Sequence, residues 1–186
     1  MESTDATLME RVRAGDHDAF SLLVDRHKDL LVNYLTRITG NRERAEDSAQ
    51  ETFVRLFENA AKYRERGTFR AYLLRIATNL VRSEERRRNR WRLLAPLLAS
   101  SNGHVEEAGQ ARRLLQAELH RVVAGEVSRL PLEFRVPLVL REIEGCSYEE
   151  IACVTGTRQG TVKSRIHRAK QRLREKLRPY LEGVER

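Results

Sequence analysis

The chain has 186 residues, 40% apolar and 33% charged, with two cysteines. That is enough apolar material for one larger or two small folded domains and too much for a disordered tail, and two cysteines exclude a disulfide framework. The formal net charge of +8 is unevenly spread: residues 62–92 hold eleven Lys/Arg against three acids, residues 158–178 hold nine against Glu175 alone, and the rest of the chain is weakly acidic. Two basic blocks on such a chain are the footprint of a polyanion, most simply nucleic acid. They lack the bulky exposed apolar residues that a membrane surface would call for.

Almost every segment has helical periodicity, and none alternates like a strand. A short helix is expected over about Asp5–Arg13. Gly15-Asp16 then breaks the chain and caps a longer helix with the stripe Phe20, Leu23, Val24, His27, Leu31, Tyr34 and Ile38, ended by Gly40-Asn41. Its place in that stripe marks His27 as a packed histidine rather than a ligand. A third helix is expected over about 43–60, with Ala49, Phe53, Leu56, Phe57 and Ala60 inward and Glu43, Asp47, Gln50 and Glu51 outward. The loop 62–67 leads to a fourth helix over about 68–90, burying Phe69, Leu73, Ile76, Ala77 and Leu80. From Trp91 to about Gln110 the pattern lapses, and Pro96, Ser100, Ser101, Asn102 and Gly103 mark a linker. Leu93, Leu94, Leu97 and Leu98 within it are unusual for a free linker and are expected to dock on this protein or a partner. Helical signals resume near Ala111. Another helix starts at Leu130-Pro131, with Pro137 expected to kink it or delay its start.

Residues 147–177 carry the most information. Ser147 and Glu150 have capping-box spacing, which opens a helix at Tyr148. Gly156 ends it, and Thr157 is placed to cap a second helix. There Val162, Ile166, Ala169, Leu173 and Leu177 share one stripe. Ser164, His167 and Gln171 lie opposite, flanked by Lys163, Lys170 and Arg168. A short helix, a glycine turn and a basic helix form a helix-turn-helix, a unit that enters the DNA major groove. Cys146 and Cys153 lie in or beside its first helix, where Cys153 reads as a small apolar residue.

Enzymatic chemistry is not expected. There is no glycine-rich phosphate loop and no nucleophile elbow. The acids Glu43, Glu46, Asp47 and Glu51 spread over an exposed arc rather than converging as a nuclease would need. Neither histidines nor cysteines stand at metal-ligand spacing, so no metal or cofactor is expected. The first basic block instead combines arginines with Tyr63, Phe69 and Tyr72, the residue types that grip and stack single strands; core packing is the favoured role for Phe69. An autonomous helix-turn-helix repressor or activator is the runner-up, but such proteins usually dimerise, and no dimerisation helix is evident.

The whole chain resembles a bacterial extracytoplasmic-function (ECF) sigma factor, a promoter-specificity subunit of RNA polymerase. AEDSAQETF (45–53) and FRAYLLRIATNL (69–80) resemble the family's region two. Leu130-Pro131, LREIEG (140–145), SYEEIA (147–152) and GTVKSRIHRA (160–169) resemble region four. The resemblance implies an all-α fold of two small helical domains on a flexible linker: region two at 1–91, the linker at 92–111, and region four with the helix-turn-helix at 112–186. It implies that Asp47, Gln50 and Glu51 dock core RNA polymerase. Loop 62–68 and the fourth helix would read and help open the minus-ten element, through Tyr63, Arg70, Tyr72, Asn79, Arg82 and Arg86. Arg158, Lys163, Ser164, His167, Arg168 and Lys170 would face the minus-35 element, with Arg141 reaching its backbone. Promoter DNA, core polymerase and an anti-sigma factor are the implied partners. Tyr72 stands where the family usually has Trp, and Arg82-Ser83-Glu84 replaces a more usual aspartate. With Leu177 close to the end of the sequence, the C-terminal regulatory domain of some members is not expected here. The N-terminus is too polar for a signal peptide, and the longest apolar run, Leu93–Ala99, is too short to span a bilayer, so a cytoplasmic protein is expected.

Overall fold

The computed structural model describes residues 3–64, 68–94 and 121–182, all helical apart from turns and connectors. The elements are α1 (Asp5–Arg13), α2 (His17–Thr39), α3 (Arg42–Glu58), a 3-10 turn (Ala60–Lys62), α4 (Phe69–Leu94), α5 (described over 121–129), α6 (Leu132–Glu142), α7 (Tyr148–Thr155) and α8 (Gln159–Glu182). Most of the expected linker, with Leu97 and Leu98, lies outside the described residues, as does the resumption near Ala111. α4 itself runs on to Leu94.

Short polar side chains set the helix starts. Thr4, Asp16 and Asn41 accept from the backbone N–H of Thr7, Ala19 and Arg44 at 3.2, 3.0 and 2.8 Å, satisfying donors that the first turn leaves free. The Ala19 N–H and the Arg11 guanidinium hold the Asp16 carboxyl below its ordinary range. Gly40 ends α2 in the left-handed region at φ +68°, where its α-hydrogen faces Ser128; a Cβ there would stand 3.4 Å from the Ser128 Cβ.

The first four helices enclose Leu8, Met9, Leu23, Leu31, Tyr34, Leu35, Leu56, Leu73 and Leu74, all fully buried. Within this core the Tyr34 hydroxyl pairs with Thr78 Oγ1 at 2.7 Å, and Thr78 donates to the Leu74 carbonyl at 2.7 Å. Burial pushes the Tyr34 phenol above its ordinary range. The last helices bury Val136, Val139, Leu140, Ile151, Val154, Val162, Ile166 and Ala169. Pro137 sits inside α6 without ending it; it gives up one backbone donor, and its ring is buried.

The two halves meet. α6 packs on α2 and α7 packs on α4, so the buried side chains form one continuous cluster. Arg135 of α6 donates to the Ile38 carbonyl at the end of α2 and, at 2.7 Å, to the Leu130 carbonyl.

Three expectations are corrected. Phe57, placed in the core, is 39% exposed: it lies in the last turn of α3 against the His17 and Phe20 rings at the start of α2, which cover only one side of it. Cys153, read as a small packed residue, is exposed, whereas Cys146 is buried. Thr157 precedes α8 by two residues, too far to cap it; its hydroxyl pairs with Thr155 Oγ1 at 2.8 Å.

Candidate nucleic-acid interface

The helix-turn-helix is built from its caps. Ser147 Oγ accepts from the Glu150 N–H at 3.1 Å, and Glu150 Oε2 accepts from the Ser147 N–H at 2.8 Å. Gly156 closes α7 in the left-handed conformation, φ +65°. The apolar stripe Val162, Ile166 and Ala169 then anchors α8 on α6 and α7; Leu173 and Leu177 are only half-buried. That anchoring turns Lys163, Ser164, His167, Arg168 and Lys170 outward, and all five are exposed, as is Arg158 before the helix.

Not every cation of this block faces solvent. Arg165 donates to Glu133 of α6 at 3.3 Å, and the Arg172 guanidinium lies 4.7 Å from the Phe134 ring centroid. Lys170 pairs with Glu142 at 2.9 Å on the surface. Arg141 donates to the Cys146 carbonyl at 2.9 Å and lies 4.7 Å from the centre of the Tyr148 ring, with Lys163 Nζ 5.3 Å from the same point. Tyr148 thus joins two of the expected DNA-facing cations. Sequence reading gave it no role, although an aromatic at the first position of α7 beside a basic helix was the available signal. Burial pushes the Cys146 thiol up.

The second basic face lies on α4 and the turn before it. Tyr63 is buried, with its ring 6.2 Å from Phe69 and 5.0 Å from Tyr72 in edge-to-face geometry. Tyr72 is half-buried, whereas Asn79 and Arg86 are exposed. Arg70 and Arg82 are engaged by the other half of the molecule. Arg70 Nη2 meets Glu144 Oε2 at 2.9 Å, and Arg82 Nη1 donates to the Thr155 carbonyl at 2.8 Å. Burial shifts the Arg82 guanidinium downward. A cleft of about 470 Å³ opens between Lys62, Tyr63, Arg64, Thr68, Tyr72 and Arg75, with Cys153 of α7 on its rim.

The third expected surface is a row on α3. Asp47, Gln50 and Glu51 are all exposed on one face, and Glu51 pairs with Arg55 at 2.8 Å. Val54 continues the row at 50% exposure. Phe57 lies near it, 5.0 Å from the Phe20 ring and 5.5 Å from His17. Phe57 was missed as surface because its spacing also fits the core stripe, whereas Val54 was assigned to neither face. Among the described residues no group of three or more His, Cys, Asp or Glu is placed to hold a metal ion, and no helix is long and apolar enough to cross a membrane.

The sigma-70 region 2 model matches residues 23–92, and the sigma-70 region 4 model matches residues 121–173. The molecule is therefore a sigma-70-type protein in which the helical bundle and the helix-turn-helix are two distinct regions. It is 32% identical to the ECF RNA polymerase sigma-E factor of Haemophilus influenzae over 185 residues, 96% of this chain and 97% of that protein. It is 40% identical to the ECF RNA polymerase sigma factor SigE of Mycolicibacterium smegmatis over 155 residues, covering 83% of this chain but 60% of SigE. Among solved structures, CnrH in complex with the cytosolic domain of CnrY superposes with a TM-score of 0.70 at 28% identity, covering 95% of this chain and 99% of CnrH. The fold is also that of RpoE bound to the anti-sigma factor NepR from Bartonella quintana, with a TM-score of 0.67 at 24% identity, covering 86% and 96%. The chain belongs to the ECF family of RNA polymerase sigma factors, and its function is promoter-specific transcription initiation.

Proposed function

We propose that the three exposed surfaces divide the work of a sigma factor. α8 reads the minus-35 element. Its buried stripe fixes which side meets the protein, so Lys163, Ser164 and His167 face base edges. Arg158, Arg168, Lys170 and Arg141 hold phosphates. The turn before α4 and α4 itself read and help open the minus-ten element. Tyr72, Asn79 and Arg86 are accessible there, Arg70 and Arg82 supply charge, and the cleft beside Tyr72 is of a size and chemistry to take an unpaired base. Tyr63 serves this face from beneath, by fixing the Tyr72 ring. Asp47, Gln50 and Glu51, extended by Val54 and Phe57, dock core polymerase.

On this reading the chain carries no catalytic group of its own and acts in the cytoplasm with polymerase. An anti-sigma factor is a fitting partner, since CnrH was solved with CnrY and RpoE with NepR. The observation that carries the reading is the exposed cationic face of α8 directly opposite its apolar stripe. Reconstituted transcription with purified core polymerase and a randomised promoter library tests it. Initiation should require both chain and core and should select paired minus-35 and minus-ten sequences. Tight binding to a palindromic operator without polymerase would point instead to an autonomous regulator.

A further inference from the structure

We propose that α1 is a positioning element for the minus-ten face, acting through Asp5 and His27 on a row of rings that ends at Tyr72. The proposal rests on the assignment of Tyr72 and the α4 face made above. α1 precedes the stretch matched by the sigma-70 region 2 model, which begins at residue 23, so the match gives this helix no part in DNA reading. Leu8, Met9 and Val12 are buried, and α1 packs on α2 and on the 3-10 turn Ala60–Lys62, directly before Tyr63. Asp5, its first residue, is tied to α2 by both oxygens. Oδ1 accepts from Arg26 Nη1 at 2.6 Å, and Oδ2 stands 2.9 Å from His27 Nε2. A carboxylate only accepts, so Nε2 carries the hydrogen, and the bond fixes the imidazole plane. Arg26 also donates to the Ser3 carbonyl at 3.1 Å, which holds the entry to α1.

The His27 ring is 7% exposed and lies against Phe69 of α4, with centroids 5.0 Å apart. Phe69 meets Tyr63, and Tyr63 meets Tyr72, both edge-to-face. His27, Phe69 and Tyr63 are buried, whereas Tyr72 is half-buried beside the cleft lined by Lys62, Arg64 and Arg75. Edge-to-face contacts set ring angles as well as separations. A tilt at His27 is therefore passed along the row to the ring that borders the cleft. Leucine at position 27 would fill apolar space; a ring with a hydrogen-bonding edge ties the angle of Phe69 to the carboxylate of α1. An unpaired base then meets a Tyr72 ring already set, and less ordering is left to binding.

The test uses holoenzyme assembled with the full chain. Asp5→Ala and His27→Ala break the row at its origin, and Asp5→Asn keeps an acceptor for His27. Asp25→Asn, at the exposed partner of Lys28, is the charge control. Fluorescence anisotropy measures binding to a fork whose minus-ten strand is unpaired. Asp5→Ala and His27→Ala should each weaken it about fivefold, and Asp5→Asn and Asp25→Asn by less than about twofold. Core capture and minus-35 selection should not change. Because the effect passes through Tyr72, it should vanish in a Tyr72→Leu background. In the free chain carrying isotope-labelled tyrosine, nuclear magnetic relaxation should show Asp5→Ala raising ring mobility at Tyr63 and Tyr72 but not at Tyr148 or Tyr180. A fork defect of equal size in the Tyr72→Leu background, a loss shared by core capture, or Tyr63 and Tyr72 rings unmoved by Asp5→Ala would overturn the proposal. If Tyr72→Leu alone binds the fork as the parent does, the assignment of the α4 face fails instead, and ring relaxation decides whether α1 sets the row. Should His27→Ala lose helix content, Asp5→Ala, on a side chain 24% exposed, carries the same comparison.

Discussion

Tyr148 offers a test of how the surface proposed to read the minus-35 element is organised, because one ring touches two of its cations. Arg141 and Lys163 lie 4.7 and 5.3 Å from the ring centre, and Tyr148 is half-buried. A cation over an aromatic face contributes about 0.5–1 kcal/mol near the surface. Two such contacts put the loss on Tyr148→Leu at about 1–2 kcal/mol of preorganisation. That is roughly a 5- to 30-fold weakening of promoter binding by the holoenzyme. The fold should survive, since leucine fills comparable apolar space. Tyr148→Phe keeps the ring and should stay within about twofold of the parent. The assay is holoenzyme binding to, and transcription from, promoters that keep or lack the selected minus-35 sequence. The Leu variant should lose most of its advantage on the former. Phe as damaging as Leu would show that the hydroxyl acts directly on DNA, and Leu equal to parent would show that the ring positions neither cation.

Lys163→Ala or His167→Ala should change which minus-35 sequences a randomised library yields, since a base-edge contact carries about 1–3 kcal/mol of discrimination. Arg168→Ala should instead weaken all promoters alike and reduce the salt slope of binding by about one. Asp47→Lys, or Gln50→Ala with Glu51→Ala, should weaken capture of core polymerase in pull-downs while thermal stability stays within about 0.5 kcal/mol of parent; unchanged capture would give that face another role. Ser147→Ala removes the cap of α7 and should destabilise the chain by about 1 kcal/mol, read as a melting temperature lower by about 2–4 °C.

The helix-turn-helix was legible because its determinants are local. A capping box, a left-handed glycine and a stripe of period near 3.6 all lie within the 31 residues 147–177. The α3 face was legible in its polar part for the same reason. Phe57 was misjudged because a stripe says which residues share a side, not where the covering element stops. Cys153 failed similarly, since α7 has eight residues and a small side chain fits either face. Tyr63 was read in sequence among the stacking residues but is buried; an aromatic in a turn serves equally well as a stacking platform or as a support. The docking of the two halves was not legible at all. Its contacts join Arg70 to Glu144, Arg82 to Thr155 and Arg135 to Ile38, pairs more than 70 residues apart, and no local period encodes them.

The chemistry of that docking follows from what it covers. The α4 face is rich in arginine, and such a surface cannot be buried against an apolar partner without stranding its charge. Only a cover rich in acceptors can close on it. The weakly acidic stretch between the two basic blocks supplies Glu144, Glu150 and the carbonyl end of α7. α8 faces no such constraint: its cations are carried on a helix already fixed by Val162, Ile166 and Ala169, and its reading face stays exposed.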